Sequence, residues 1–111
     1  MHHADVVIAG AGPAGSTAAL ILARRGFDAL LLDKAAFPRP KLCGGLLTWK
    51  SVRLLERVHG CPADALIADG VVDTVTDGYA VCHRGHPLSL GRFAYPFHLI
   101  RRSAFDNRLL D

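Results

Sequence analysis

The chain has 111 residues, half of them apolar, and 13 Lys and Arg against 10 Asp and Glu give it a net charge of +3. That length sets a ceiling of one domain, in which folding removes somewhat over about 60% of the unfolded surface from water. The positive charge is spread along the chain rather than gathered in a block, which argues against nucleic-acid binding, and three cysteines, Cys43, Cys61 and Cys82, argue against a fully paired disulfide scaffold. The opening Met1-His2-His3-Ala4-Asp5 lacks the form of a signal peptide, and no apolar run reaches the roughly 18 residues of a membrane span. A cytoplasmic protein with reduced thiols is expected.

The first element is the apolar run Val6-Val7-Ile8-Ala9, which reads as a buried strand. Gly10-Ala11-Gly12-Pro13-Ala14-Gly15 follows, and then an alanine- and leucine-rich helical stretch ending at Ala23-Arg24-Arg25-Gly26. A second apolar run, Ala29-Leu30-Leu31-Leu32, ends in Asp33. Glycines between a strand and a helix, with an acid at the end of the next strand, are what a dinucleotide site requires. Gly10 permits the tight turn, Gly12 lets the backbone approach a pyrophosphate, and Gly15 lets the helix pack close to the strand. Pro13 suits the first helical turn, where its missing N–H would have had no partner, while the free amides and the helix dipole face the phosphates. Asp33 lies eighteen positions beyond Gly15, close to the roughly 20 expected of a carboxylate that accepts from ribose hydroxyls. It would repel a 2′-phosphate, so this site favours FAD or NAD over NADP.

Residues 34–45 carry prolines and glycines without periodicity and read as a loop. Thr48 is the expected cap of a helix over residues 49–59, with Trp49, Val52, Leu55 and Val58 on one face and Gly60 and Pro62 closing it. From Val71 the pattern alternates, and Asp77-Gly78 reads as the two-residue turn of a β-hairpin whose strands are residues 71–76 and 79–82. An extended stretch, Phe97-His98-Leu99-Ile100, leads to Ser103, the expected cap of a last helix, with Asp106 completing a variant capping box. The fold class is therefore α/β: a Rossmann-like βαβ unit with an added β-hairpin, in an incomplete doubly wound domain. Two parallel strands are too few for a stable sheet of this type. The chain accordingly reads as the amino-terminal part of a longer enzyme, inactive alone, with residues 1–70 and 97–111 forming the nucleotide-binding portion and residues 71–96 a hairpin directed toward a substrate domain.

Asp5 to Ser16, Asp33, the loop Phe37-Pro38-Arg39-Pro40-Lys41-Leu42-Cys43-Gly44-Gly45 and the late Arg102-Ser103-Ala104-Phe105-Asp106-Asn107-Arg108-Leu109 together resemble the FAD-dependent geranylgeranyl reductase family, within the p-hydroxybenzoate hydroxylase type of flavoproteins. The resemblance implies that Gly10, Gly12, Pro13, Ala14 and Gly15 hold the FAD pyrophosphate and that Asp33, with Lys34 beside it, meets the adenosine ribose, where the family usually has glutamate. It further implies that Arg39, Cys43 and Gly44 border the cofactor near its ribityl or ring end, and that Arg102 approaches the FAD before Phe105. The implied activity is hydride transfer from reduced FAD to an isoprenoid double bond, with NADPH or NADH as electron donor. The implied partner is a small-molecule substrate, isoprenoid or aromatic, with peripheral membrane contact left open. Related flavoproteins hydroxylate or halogenate aromatic rings, so a monooxygenase or halogenase portion is the alternative, and a non-catalytic remnant is a third reading.

Other readings of the same residues compete. Arg39 and Lys41 in a proline-rich loop are more often solvated, and Cys43 on its own reads as a small buried hydrophobe. Cys82, His83 and His86 lack the second ligand pair of a metal site, and none is expected. Trp49, Phe93, Tyr95 and Phe97 are expected to be core residues.

Overall fold

The computed structural model describes residues 3–111. Strand β1 (Val6–Ala9) leads through the glycine turn into α1 (Pro13–Arg24), and β2 (Ala29–Leu32) returns parallel to β1 with Val6 opposite Ala29 and Ala9 opposite Leu32. The βαβ unit therefore stands as read. Helix α1 starts at Pro13 with Gly12 as its cap residue. Gly10 has φ 105°, a conformation that glycine adopts without strain. A Cβ on Gly15 would run into the Gly10 carbonyl oxygen, so the helix can leave the turn this tightly only with glycine at that position.

A second sheet has the order β3-β5-β4, all antiparallel, built from β3 (Leu46–Leu47), β4 (Val72–His83) and β5 (His86–Ile100). The hairpin is present, but it turns at Arg84-Gly85 rather than at Asp77-Gly78. Arg84 and Gly85 have φ of 47° and 81°, the left-handed pair that a tight two-residue hairpin loop needs. At Asp77-Gly78 the strand runs on through a register shift, with the Gly78 N–H donating to Thr76 Oγ1 at 3.2 Å. That Asp-Gly pair makes a bulge, the other structure that interrupts a strand's register.

Helix α2 (Trp49–His59) matches the expected span. Thr48 Oγ1 accepts from the Ser51 N–H, and Gly60 ends the helix in the left-handed conformation. Helix α3 (Ala63–Ala68) was not apparent from the sequence; it is short and buries Leu66. Helix α4 (Arg102–Arg108) begins one residue before the expected cap. Ser103 therefore lies inside the helix and caps nothing, because Arg101 is the last extended residue.

The main apolar cluster lies outside the βαβ unit, in which Ala11 is buried separately. Leu55, Cys61, Leu66, Val71, Val72, Ile100, Phe105 and Leu109 form one buried cluster, with Leu47 packed against it. Helix α1 joins this half through α2: Thr17 Oγ1 and His59 Nε2 lie 2.9 Å apart, and Arg24 Nη1 donates to the Val58 carbonyl. The aromatic residues of the hairpin are not in the core. Trp49 stacks on Tyr95 with ring centroids 4.5 Å apart, and Phe93 packs between Tyr79 and Phe97, yet Trp49, Phe93 and Tyr95 are all exposed. Their face of β5 is opposite to the one that buries His98 and Ile100. Among the described residues no helix is long and apolar enough to cross a membrane.

Candidate functional site

The carboxyl ends of two parallel strands and the amino end of the crossover helix converge at the glycine turn, where an open α/β sheet binds ligands. The Gly10 N–H donates to the Leu32 carbonyl at 2.6 Å, which fixes the turn to the end of β2. Asp33 secures it from the same side. Its Oδ2 accepts from the Ala11 N–H at 2.8 Å and its Oδ1 from the Ala35 N–H at 2.9 Å. These bonds, Ala35 first and then Ala11, hold its carboxyl below the ordinary carboxylate range, with Arg39 and Lys34 adding to the effect. Each oxygen has spent one acceptor position on backbone and keeps another for a hydroxyl donor.

Three hollows run past this turn. One of about 590 Å³ is lined by Ala9, Gly10, Leu32, Asp33 and Lys34. The next, about 500 Å³, shares Ala9 and Gly10 with it and continues along Gly12, Pro13, Ala14 and Gly15. The third, about 490 Å³, shares Pro13 and Ala14 with the second and opens between α1, α2, β3 and α4, with Cys43, Gly45 and Arg102 among mainly aliphatic walls. The order is an end with a carboxylate, a middle lined mostly by glycine, alanine and proline, and a mainly apolar far end. An extended dinucleotide such as FAD has the matching order of ribose, pyrophosphate and ring, so the residues present fit that group.

The far end is organised by charge. Arg39 reaches over the turn, its Nη2 lying 3.6 Å from where a Gly12 Cβ would be, and its guanidinium sits 4.7 Å from the Phe37 ring centroid. Arg102 donates to Asp106 from Nε at 2.7 Å and from Nη2 at 2.9 Å. Arg39 Nη1 pairs with Asp106 Oδ2 at 3.2 Å but has no aligned hydrogen bond, although the atom is buried. Asp106, read from the sequence as part of a capping box, is instead fully buried between two arginines. The signal for it was the spacing from Arg102 to Asp106, which puts the two side chains on one helix face.

Cys43 is exposed, not a buried hydrophobe. The Gly45 N–H donates to its Sγ at 3.4 Å, and this bond together with the Arg102 guanidinium holds the thiol below its ordinary value. The loop is anchored where the Gly45 carbonyl accepts from the Ile100 N–H at 2.7 Å, and Gly45 has φ 71° with the Ile100 carbonyl where its Cβ would go.

The structure thus brings Gly10, Gly12, Pro13, Ala14, Gly15 and Asp33 into one turn, with Lys34 at its edge; Cys43 and Arg102 line the far hollow, Arg39 lies over Gly12 and pairs with Asp106, and Gly44 lines none of the three hollows. Among the described residues no group of three His, Cys, Asp or Glu side chains could hold a metal ion.

The family described as FAD binding domain matches residues 3–86. The chain is similar to a menaquinone reductase of Mycolicibacterium smegmatis, 54% identical over 55 residues that make up 50% of this chain and 13% of the relative. It is also similar to digeranylgeranylglycerophospholipid reductase 1 of Methanopyrus kandleri, 48% identical over 65 residues, 58% of this chain and 16% of the relative. Among solved structures, the flavin-dependent brominase Bmp2 superposes with a TM-score of 0.78 at 29% identity, covering 98% of this chain and 26% of the brominase. The chain therefore spans a small part of each protein it matches. It belongs to the FAD-binding domain family, and its cofactor is FAD.

Proposed function

Taking membership of that family as the premise, we propose that the chain is the FAD-binding, amino-terminal portion of a flavin-dependent reductase acting on an isoprenoid chain, as the geranylgeranyl reductases do. The observation that carries this reading is the mainly apolar hollow at the far end of the cofactor path, bordered by Cys43 and Gly45 and walled by apolar side chains of α1, α2, β3 and α4. An isoprenoid is apolar along its whole length and would be held there by exclusion of water. The similarity to two reductases over 55 and 65 residues of this chain supports the same choice.

In this reading Gly12, Ala14 and Gly15 hold the pyrophosphate through backbone amides at the amino end of α1, where the helix dipole favours an anion, while Gly10 makes the turn beneath it and Pro13, which has no N–H, sets the first helical residue. Asp33 accepts from the adenosine ribose and, with Lys34, marks that end. Arg39, over Gly12, neutralises charge at the middle of the path, Arg102 stands at the far end beside Cys43, and the Cys43-Gly44-Gly45 loop closes the ring end against water. FAD, when bound, supplies hydride transfer between an electron donor and the substrate. NADPH or NADH is the proposed donor. Residues 1–70 and 97–111 form the nucleotide-binding portion, and residues 71–96 extend toward the substrate. The exposed aromatic face around Trp49 and Tyr95 favours a second reading, an aromatic monooxygenase or halogenase, since planar rings stack on such a surface.

The test is the visible spectrum of the purified chain incubated with excess FAD and then desalted. Retained absorbance near about 450 nm is expected, and colourless protein would overturn the reading in favour of a non-binding remnant. Addition of a prenylated quinone should then shift the flavin band; a shift with an aromatic amino acid instead would favour the halogenase reading.

A further inference from the structure

A carboxylate with no exposure to solvent is costly unless its partners are fixed around it, and Asp106 is such a group: 0% exposed, with both oxygens engaged. An exposed i,i+4 pair on a helix needs no such burial. Asp106 faces two guanidiniums from segments far apart in sequence, Arg39 from the loop after β2 and Arg102 from the first turn of α4. Two like charges this close would repel each other without a carboxylate between them. With it, the group keeps one net positive charge, Arg39 lies over Gly12, and Arg102 lies beside the Cys43 thiol.

We propose that Asp106 is a positioning residue: it clamps Arg39 and Arg102 side by side at the amino end of α1, so that one guanidinium is held over the glycine turn and the other against the Cys43 loop. The part that concerns FAD rests on the proposed cofactor path, whereas the clamp on Arg102 does not. The proposal is separable from a plain charge effect because the signs differ. Asp106 is an anion near Cys43 and near any bound pyrophosphate. If it acted by charge alone, replacing it with a neutral residue would make the thiol more acidic and FAD binding tighter. If it acts by positioning, the loss of Arg39 and Arg102 from their places makes the thiol less acidic and FAD binding weaker.

The experiment uses the full chain carrying Cys82→Ser, so that Cys43 is the accessible thiol while Cys61 stays buried. Alkylation of Cys43 by iodoacetamide is followed by mass spectrometry across pH, and FAD affinity by quenching of flavin fluorescence. In Asp106→Asn, with the fold checked by circular dichroism, the alkylation midpoint should rise by about half a pH unit or more, and the FAD dissociation constant should rise about tenfold. A midpoint that falls or stays in place overturns the proposal. Should Asp106→Asn fail to fold, Arg102→Lys decides. It keeps the charge but not the two-pronged fork, so the midpoint should again rise, and an unchanged midpoint overturns the clamp. A parent chain that binds no FAD would sink the cofactor reading, and the alkylation result would still decide the clamp.

Discussion

The two halves of the molecule are held together differently. The βαβ half is fixed by backbone: Gly10 to Leu32, Asp33 to Ala11 and Ala35, and a helix set against its own turn at Gly15. Its apolar strands contribute nothing to the buried cluster, and Val7, Leu30 and Leu32 are exposed. The half made of α2, α3, α4 and the base of the hairpin is fixed by apolar packing around Leu66, Phe105 and Ile100. The contrast shows that the glycine turn and the packed core are built by different means in separate parts of the chain, with the far hollow bordering both. A backbone-built turn depends on φ and on missing Cβ atoms, whereas a packed core depends on volume.

Substitutions that affect only one half test this division. The largest expected effect on stability is Leu66→Ala, which leaves a cavity in the core and should cost about 3 kcal/mol, lowering the melting temperature by about 10 °C or more. A melting curve like that of the parent would show that the cluster does not hold the fold. Gly15→Ala should do the converse. Its methyl meets backbone that cannot move aside, so FAD retention after desalting should drop by about a hundredfold, with a smaller change in melting temperature than Leu66→Ala. Next comes Asp33→Asn, which keeps the shape but loses the charge that accepts from two amides. FAD affinity should fall about tenfold, in the range of one charge-assisted hydrogen bond, as read by fluorescence titration.

The smallest effect lies at the seam between the halves. Burial first, and the Arg24 charge second, pull His59 below its ordinary value of 6.5. The unfolded chain therefore takes up a proton more readily than the folded one, and stability falls as pH drops below 6.5 toward the lowered value. Denaturant titrations at pH 7 and pH 5 should show this loss in the parent and a reduced loss in His59→Gln. An equal loss in both would remove His59 from the seam.

The same division explains what could be read from the sequence. Gly10 to Gly15, Pro13, α1 and Asp33 were legible because each acts within a few residues of chain, through geometry that its residue type dictates. Helix α2 was legible from Thr48, Gly60 and a regular apolar stripe. The hairpin turn was misplaced because Asp77-Gly78 has the stronger local turn chemistry, while the pairing of twelve- and fifteen-residue strands sets the loop at Arg84-Gly85. Asp106 was misread for a related reason. Three residues after Ser103 it matches a cap pattern, but a helix that starts at Arg102 aligns it with two arginines, one of them brought in by a loop 67 positions earlier. Residue type alone points the aromatics to the core, whereas strand alternation puts Phe93, Tyr95 and Phe97 on the opposite face of β5 from Ile100, and Trp49 of α2 stacks on Tyr95 there.

The length of the hairpin has a practical side. A strand rises about 3.4 Å per residue, so the twelve residues of β4 carry the Arg84-Gly85 turn about 40 Å along a molecule 61 Å in its longest dimension. Every residue from 78 to 90 is exposed, and none lines the three hollows beside the glycine turn. That tip is the place to graft an epitope or tether the protein to a surface, because an attachment there leaves both the glycine turn and the core untouched.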